Sequence, residues 1–259
     1  MAGTNSAKIK NTTLANLSAP TIILVEPQLG ENIGMAARAM LNCGLSDLRL
    51  VNPRDGWPSE SANATAAGAN QVIKNTSVFG TTAEAVSDLN LVFAATARKR
   101  DMINRIVTPR QAAKEMHETF NHKDESVGVL FGPESKGLSN NDVTQADSII
   151  MVPVNPSFNS LNLAQAVYVI GYEWYLKAID NQPGSHTTFS KKPKLANKSE
   201  VNGIIRHLTD KLDQTSFFYV KEKRPVMLRN LRNIFQRAKL TEQEARTLRG
   251  VISSLTKNS

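Results

Sequence analysis

The sequence lacks the features that mark several large classes of protein. Its apolar runs, such as residues 21–25, are far shorter than the roughly 18 residues needed to cross a bilayer, so no membrane association is expected. A single cysteine, Cys43, excludes an internal disulfide. The four histidines lie apart from one another with no carboxylate at ligand spacing, which argues against a metal site. The first 18 residues lack the apolar stretch of a secretory signal, so we expect a cytoplasmic protein.

Common catalytic and nucleotide-binding patterns are also missing. No G-x-G-x-x-G follows a candidate strand, which excludes the usual dinucleotide fingerprint. Residues 131–139 contain two glycines at the spacing of a phosphate-binding loop. However, Leu138 stands where that loop needs lysine, and Pro133 removes an amide donor. With no G-x-S-x-G elbow and no Ser-His-Asp arrangement, the sequence indicates neither an NTPase nor a serine hydrolase.

Positive charge is concentrated in the last third of the chain. The 259 residues carry a net charge of +8. Residues 181–259 hold 16 basic and 6 acidic side chains, a net of +10, which leaves −2 for residues 1–180. A basic extension on a nearly neutral body indicates a polyanionic partner, with RNA or DNA favoured over a membrane surface. A solvated charged face is the alternative.

Short apolar runs alternate with amphipathic stretches between residues 19 and 180. The predicted strands are 22–25, 47–51, 71–74 (the weakest), 91–95, 127–131 and 148–152. The predicted helices are 33–43, 61–67, 82–87, 109–120, 140–145 and 161–179. This alternation predicts an α/β domain over residues 19–180, with a parallel sheet covered by helices.

The two ends of the chain have a different character. Residues 1–18 are polar and aperiodic and are predicted to be a disordered tail, whereas residues 181–200 resemble a linker. Residues 201–259 carry three helical apolar stripes, the last opened by a capping box from Thr241 to Glu244. We predict a small basic helical module, with stripes that pack on each other or on a partner subunit.

The segment after the first predicted strand holds polar residues at the carboxyl end of the sheet, where ligands bind in open α/β folds. Asn32 is placed to cap the following helix. Gly34 lies four residues before Arg38, so the glycine is expected to leave space beside a guanidinium that recognises phosphate or carboxylate. A helix-packing glycine and a surface arginine are the alternative.

Two further segments follow later strands. Residues 131–139 combine two glycines with the carboxylate of Glu134, and they form either a ligand-binding loop or an ordinary strand-to-helix turn. Residues 152–167 run through two prolines into a helix opened by Ser160, with Asn162 on its first turn. The prolines make this segment either a preorganised site or a rigid connector.

Taken together, the three ordered segments resemble the SpoU-type branch of the SPOUT RNA methyltransferases over about residues 19–180. The motifs are Glu31-Asn32-x-Gly34-x-x-x-Arg38, Leu130-Phe131-Gly132-x-Glu134-x-x-Gly137-Leu138-Ser139 and Pro153-x-Asn155-x-x-x-x-Ser160-Leu161-Asn162-x-Ala164-x-Ala166. A closer similarity to the TrmJ subgroup extends into the basic tail. It includes residues 52–53, 66–69, 96–98, 227–238 and 248–250.

The resemblance implies a function and an assembly. The subgroup transfers a methyl group from S-adenosyl-L-methionine to the ribose 2′-oxygen of tRNA position 32, a cytidine or uridine of the anticodon loop. Its fold is a knotted α/β (trefoil) SPOUT domain, and it acts as a homodimer whose subunits build each site together, without metal. The alternatives are methylation of rRNA or another tRNA position, and a non-catalytic RNA-binding protein on the same fold.

The resemblance also implies roles for individual residues. The catalytic arginine is Arg38, supported by Asn32, Glu134 and Asn162. The residues expected to bind the donor, largely through main-chain groups, are Ala95, Thr96, Ala97, Gly132, Val152, Asn159, Ser160 and Leu161. Near relatives often carry serine at position 159. The residues expected to bind RNA are Arg98, Arg224, Arg229, Arg232 and Arg237.

Overall fold

The computed structural model describes residues 18–97, 105–122, 124–180 and 194–255, which form a parallel sheet with helices on both faces and a helical module at one end. The strands are β1 (Thr21–Val25), β2 (Leu48–Val51), β3 (Ser77–Phe79), β4 (Leu91–Ala95), β5 (Arg105–Val107), β6 (Val127–Phe131) and β7 (Ser148–Ile150). Their order in the sheet is β3-β2-β1-β6-β4-β7-β5, with every neighbouring pair parallel. The predicted α/β class is confirmed.

Side chains along each strand point alternately to the two faces of the sheet, and helices cover both faces, so there are two hydrophobic cores. Ile22 and Leu24 of β1 face the first core, under α1, α5 and α7, whereas Ile23 and Val25 face the second, under α4 and α6. The helices are α1 (Gly30–Asn42), α2 (Glu60–Thr65), α3 (Asn70–Lys74), α4 (Thr82–Ala85), α5 (Pro109–Phe120), α6 (Asn140–Val143), α7 (Leu163–Asp180), α8 (Lys198–Leu212), α9 (Arg224–Arg237) and α10 (Glu242–Leu255). None of these is long and apolar enough to span a membrane.

Two edge strands escaped prediction, and one predicted strand is wrong. Residues 71–74 lie in helix α3, where Val72 and Ile73 are buried. Strands β3 and β5 have only three residues each and lie at the two edges of the sheet. Most of their side chains are solvent-exposed, so neither strand carries the apolar run by which buried parallel strands are recognised.

The C-terminal module packs against the sheet of the same chain. Helix α8 begins at Lys198, so the last three residues of the predicted linker are helical. The segment just before it is also docked, since Asn90 Nδ2 donates a hydrogen bond of 2.9 Å to the carbonyl of Leu195. Within the module, Ile204 and Ile205 of α8 pack with Ala245 and Ile252 of α10. The predicted packing of the apolar stripes on each other is therefore confirmed, and most of the predicted linker lies outside the described residues.

A buried ion pair fastens the module to the sheet. Lys198 Nζ donates to Asp147 Oδ1 and to Gln236 Oε1, both at 2.5 Å. The other carboxylate oxygen of Asp147 accepts the amide of Val92 at 2.8 Å. Lys198 is 1% exposed and Asp147 6%. Burial lowers the pKa of Lys198, and the neighbouring carboxylate opposes that shift. This contact joins α8 and α9 to the amino-terminal ends of β4 and β7.

Replacing Lys198 should therefore destabilise the whole protein. Lys198→Met keeps the length of the side chain but leaves the Asp147 carboxylate buried without its cation, which typically costs about 3–5 kcal/mol. We expect urea denaturation to show a loss of this size. The matched control is Lys194→Met, which removes a solvent-exposed pair with Glu242 and should change stability little. Equal effects of the two substitutions would contradict the proposed fastening role of the buried pair.

Candidate functional site

A cavity of about 420 Å³ opens at the carboxyl edge of the sheet, beyond β4, β6 and β7. Because all strands are parallel, the loops that follow them meet at this edge. We call this space the donor cavity, because every residue that the sequence predicted to bind the methyl donor lines it: Ala95, Thr96, Ala97, Gly132, Val152, Asn159, Ser160 and Leu161. Residues from three distant parts of the chain are thus brought together around one space.

The wall of the donor cavity is built mainly from small side chains and backbone. The loop after β6 folds back on itself, with the amide of Gly137 donating to the carbonyl of Pro133 at 2.7 Å. A Cβ atom on Gly132 would collide with the backbone of Gly137 and Leu138, so only glycine fits at this position. Gly137 itself has φ of +66°, which glycine adopts readily. Such a cavity can hold a ligand through main-chain hydrogen bonds.

A hydrogen-bond network links the three motif segments beside the donor cavity. Asn32 Nδ2 donates to Glu134 Oε1 at 2.6 Å, and Asn162 Nδ2 donates to Asn32 Oδ1 at 3.4 Å. The second oxygen of Glu134 accepts the amide of Gln28 at 3.0 Å. Asn162 also receives the amide of Ala164 at the start of α7. These amides and the carboxylate hold three loops in a fixed relation.

The network corrects one detail of the sequence interpretation. Asn32 does not cap α1, because that helix already begins at Gly30 and its N-cap residue is Leu29. Asn32 is buried within the first turn and its amide is directed to Glu134 instead. The structure thus gives Asn32 a role in joining loops rather than in starting a helix.

Arg38 lies apart from this network, on the exposed side of α1. It borders a shallow depression of about 470 Å³ together with Met35, Leu161 and Tyr168. In the part of the chain that the structure describes, no hydrogen bond or ion pair joins Arg38 to Asn32, Glu134 or Asn162. Leu161 lines both the depression and the donor cavity, so it stands between the guanidinium and the predicted donor.

Gly34 does not have the predicted role of leaving space beside the Arg38 guanidinium. A Cβ atom at this position would collide with Thr65 Oγ1 and with the carbonyl of Ala62, both on α2. Gly34 is buried, whereas Arg38 is exposed. The glycine therefore lets α1 and α2 approach closely and does not make room beside the guanidinium, as the alternative interpretation held.

Comparison with known proteins identifies the family. Residues 19–172 match the SpoU rRNA Methylase family, and residues 199–259 match the C-terminal domain of the tRNA methyltransferase TrmJ. The chain belongs to the SpoU methylase family. It is 34% identical over 236 residues to the tRNA (cytidine/uridine-2′-O-)-methyltransferase TrmJ of Pectobacterium atrosepticum, covering 91% of this chain and 96% of that protein.

Solved structures agree with this assignment. The crystal structure of TrmJ from Z. mobilis ZM4 superposes with a TM-score of 0.82 at 47% identity, covering 92% of this chain and 99% of that one. A probable methylase family protein from Haemophilus influenzae superposes with a TM-score of 0.61 at 29% identity, covering 95% and 97%. At this coverage, both similarities extend over the sheet and the helical module.

Four of the five arginines predicted to bind RNA lie within the described residues, and Arg98 lies outside them. Arg224 makes a two-pronged ion pair with Asp213, at 3.0 and 2.7 Å, and its guanidinium lies 5.3 Å from the ring centre of Phe218. This partly exposed pair joins the end of α8 to the start of α9.

Arg229, Arg232 and Arg237 lie on α9. Arg229 and Arg232 are half-buried, and burial lowers the pKa of Arg232 from its ordinary value. Arg237 is exposed and donates to the carbonyl of Asn233 at 3.3 Å. Sequence reasoning missed Tyr219, which is 83% exposed just before α9, although an aromatic residue within a basic segment is a recognisable signal.

Proposed function

We propose that this protein transfers a methyl group from S-adenosyl-L-methionine to the ribose 2′-oxygen of tRNA, at position 32 of the anticodon loop, where it accepts cytidine or uridine. The observation that carries the proposal is the junction of the donor cavity with the Asn32–Glu134–Asn162 network. The substrate class follows from the relatives, which are tRNA (cytidine/uridine-2′-O-)-methyltransferases.

The helical module favours tRNA over the alternative substrate, ribosomal RNA. The SpoU family is one of rRNA methylases, but residues 199–259 are similar to a domain of a tRNA methyltransferase. The decisive experiment is mass spectrometry of tRNA nucleosides from a strain lacking this protein, with and without complementation. Loss of 2′-O-methylcytidine or 2′-O-methyluridine from the tRNA, restored by the wild-type gene, is the expected result.

The donor supplies an electrophilic methyl group on a sulfonium, and it departs as a neutral thioether, so the leaving group needs no metal to neutralise it. Within the described ranges, no cluster of His, Cys, Asp and Glu is arranged to hold a metal ion. Gly132 would approach the donor with its backbone, Ala95 to Ala97 would line one side, and residues 159–161 would close around the nucleoside part through main-chain groups. The cavity would thereby orient the methyl group for attack.

Arg38 would act on the RNA. A guanidinium stays protonated far above neutral pH, so it serves poorly as a free base. Its role would be to bind the phosphate beside the target ribose and to polarise the 2′-hydroxyl, with the proton leaving to a phosphate oxygen or water. Asn32, Glu134 and Asn162 would keep the donor loops aligned with that hydroxyl, which supplies catalysis by positioning.

A homodimer would complete the site. The face of α1 and α7 around Arg38 exposes large apolar side chains, including Met35 at 38% and Tyr168 and Tyr172 at 43% each. The two tyrosine rings stack with their centres 5.7 Å apart. An exposed patch of this kind marks a protein interface. Pairing of two such faces would place Arg38 of one subunit beside the donor cavity of the other. The knotted path of the chain is a separate prediction.

Donor binding should depend on Gly132 and should need no metal. Gly132→Ala forces the backbone of residues 137–138 to move, so we expect at least about a ten-fold loss of affinity for S-adenosyl-L-methionine. The control is Gly250→Ala, where the added Cβ meets no atom within 4 Å. Calorimetry in the presence of a chelator is the measurement. Wild-type binding that requires a divalent ion, or equal affinity of the two variants, would contradict the assignment.

Arg38→Ala should abolish methyl transfer while leaving the fold intact, since the side chain is exposed and contributes little to the core. Loss of a positioned cation typically lowers turnover by about 100-fold or more. Lys114→Ala, which removes another exposed cation, is the control. Turnover would be followed by methyl incorporation into tRNA, and stability by thermal melting. Near-normal turnover of Arg38→Ala would remove this residue from the mechanism.

The helical module would hold tRNA at a distance from the donor cavity of its own subunit, because it is fastened to the opposite edge of the sheet. Removing the module is a poor test of this role, since truncation would leave Asp147 without Lys198. Exposed side chains are better probes. Tyr219 offers a ring for base stacking, and Lys221 and Lys223 are exposed beside it.

Two kinds of substitution in the module should affect tRNA binding differently. Tyr219→Ala should weaken binding by about 1–3 kcal/mol with little change in its salt dependence, and Tyr219→Phe should retain most of the affinity. Arg237→Gln should instead reduce the slope of log affinity against log salt by about 1. Filter-binding titrations over a salt series measure both. Unchanged affinity in all three variants would show that the module serves packing alone.

A further inference from the structure

A second cavity, of about 510 Å³, lies beside the donor cavity at the same edge of the sheet. It is bounded by the ends of β1 and β2, by the start of α4 and by the loop after β6. Pro133, Lys136 and Gly137 line both cavities, so this loop is the wall between them. The proposed function uses only the donor side of the wall.

The second cavity presents polar side chains that the fold does not use. Glu26, Asn52, Lys136 and Asn141 are exposed and, within the described ranges, their side chains make no hydrogen bond or ion pair. Asp142 differs, because it accepts hydrogen bonds from Ser139 and Thr82 and is therefore engaged in the fold. The free groups comprise one carboxylate, one ammonium and two amides, which can both donate and accept.

The position of this cavity in the fold also favours a ligand. From β1 the chain moves to β2 and β3 on one side of the sheet, whereas β6 pairs with the other side of β1. Ligands of open α/β sheets bind in the crevice where the strand order reverses in this way. Glu26 and Asn52, which follow β1 and β2, are held at φ of +46° and +45°. Asparagine tolerates that conformation, but glutamate adopts it rarely.

We propose that the second cavity binds a nucleotide adjacent in the RNA chain to the one that is methylated, a proposal that rests on the proposed function. Lys136, on the dividing wall, is placed to bind the phosphate that joins the two nucleotides. The amides of Asn52 and Asn141 would bind the edge of the neighbouring base. Glu26 only accepts hydrogen bonds when ionised, so it favours a base with an exocyclic amino group.

Two substitutions can test this site without harming the fold. Asn52→Gly deletes the amide at a position whose positive φ glycine adopts more readily. Lys136→Gln keeps a side chain of similar reach but removes the charge. Lys74→Gln, which changes an exposed lysine on α3, is the matched control. Full-length proteins would be titrated with tRNA over a salt series and, separately, with S-adenosyl-L-methionine.

We expect Asn52→Gly and Lys136→Gln each to bind tRNA about ten-fold more weakly than Lys74→Gln. Asn52 does not line the donor cavity, so Asn52→Gly should bind the donor as tightly as the control does. Lys136→Gln should also lower the slope of log affinity against log salt by about 0.7–1, whereas Asn52→Gly should leave it unchanged. If both variants bind tRNA as well as the control does, or if Asn52→Gly loses donor and tRNA affinity in equal proportion, the nucleotide site is overturned.

RNA hairpins identify the nucleotide concerned. Once wild-type protein has shown which ribose is methylated, each flanking nucleotide is replaced in turn by an abasic ribose. Wild-type protein should bind one such hairpin more weakly than the intact hairpin. Asn52→Gly should bind that abasic hairpin as well as wild-type protein does, since the base and the amide act through the same contact. If the abasic site and Asn52→Gly each weaken binding by the same factor whether or not the other is present, the proposal is overturned. Absence of wild-type turnover would count against the proposed function alone, because the affinity ratios of the variants are measured without turnover.

Discussion

Parallel strand pairing is the constraint on which the rest of the molecule depends. When all strands point the same way, every loop that follows a strand emerges at one edge of the sheet. Gln28 and Glu134 are separated by 106 residues, yet their loops are close enough for a hydrogen bond of 3.0 Å. The same geometry places residues 95–97 and 152–161 around one cavity. The site therefore results from strand direction before any individual side chain is considered.

The central part of this arrangement could be predicted because buried parallel strands are continuous apolar runs and amphipathic helices have a regular period. Helix α5 begins and ends at the predicted residues, since Thr108, Pro109 and Gln111 form a start signal that is entirely local. Edge strands such as β3 carry no such run. The contact of Gly34 with α2 could not be predicted either, because it depends on a helix that is distant in sequence. The same holds for Lys198, which lies in a segment with the composition of a linker and is buried by contacts from other parts of the chain.

The two edges of the sheet differ in what they hold: one has a buried ion pair that stabilises the fold, and the other lines the donor cavity. At the amino-terminal edge, Lys198 and Asp147 fasten the helical module, and at the carboxyl edge the loops after the same strands line the donor cavity. Strand β7 separates the two edges by only three residues, about 10 Å of extended chain. A shift of the module would therefore reach the cavity through a short, rigid strand. None of the described residues of the module lines the donor cavity, so this strand is the shortest connection between the two.

The position of Arg38 on α1 is explained by the proposed dimer. The Asn32–Glu134–Asn162 network is satisfied without it, so the guanidinium is not needed to hold the loops together. It lies instead among exposed apolar side chains of α1 and α7. Pairing of two such faces would remove water from around the cation, and a desolvated guanidinium requires an anion. An RNA phosphate would supply that anion only when substrate is bound. In the dimer, the charge of Arg38 would therefore be fully compensated only in the complex with RNA. The binding energy of this ion pair would then assist methyl transfer.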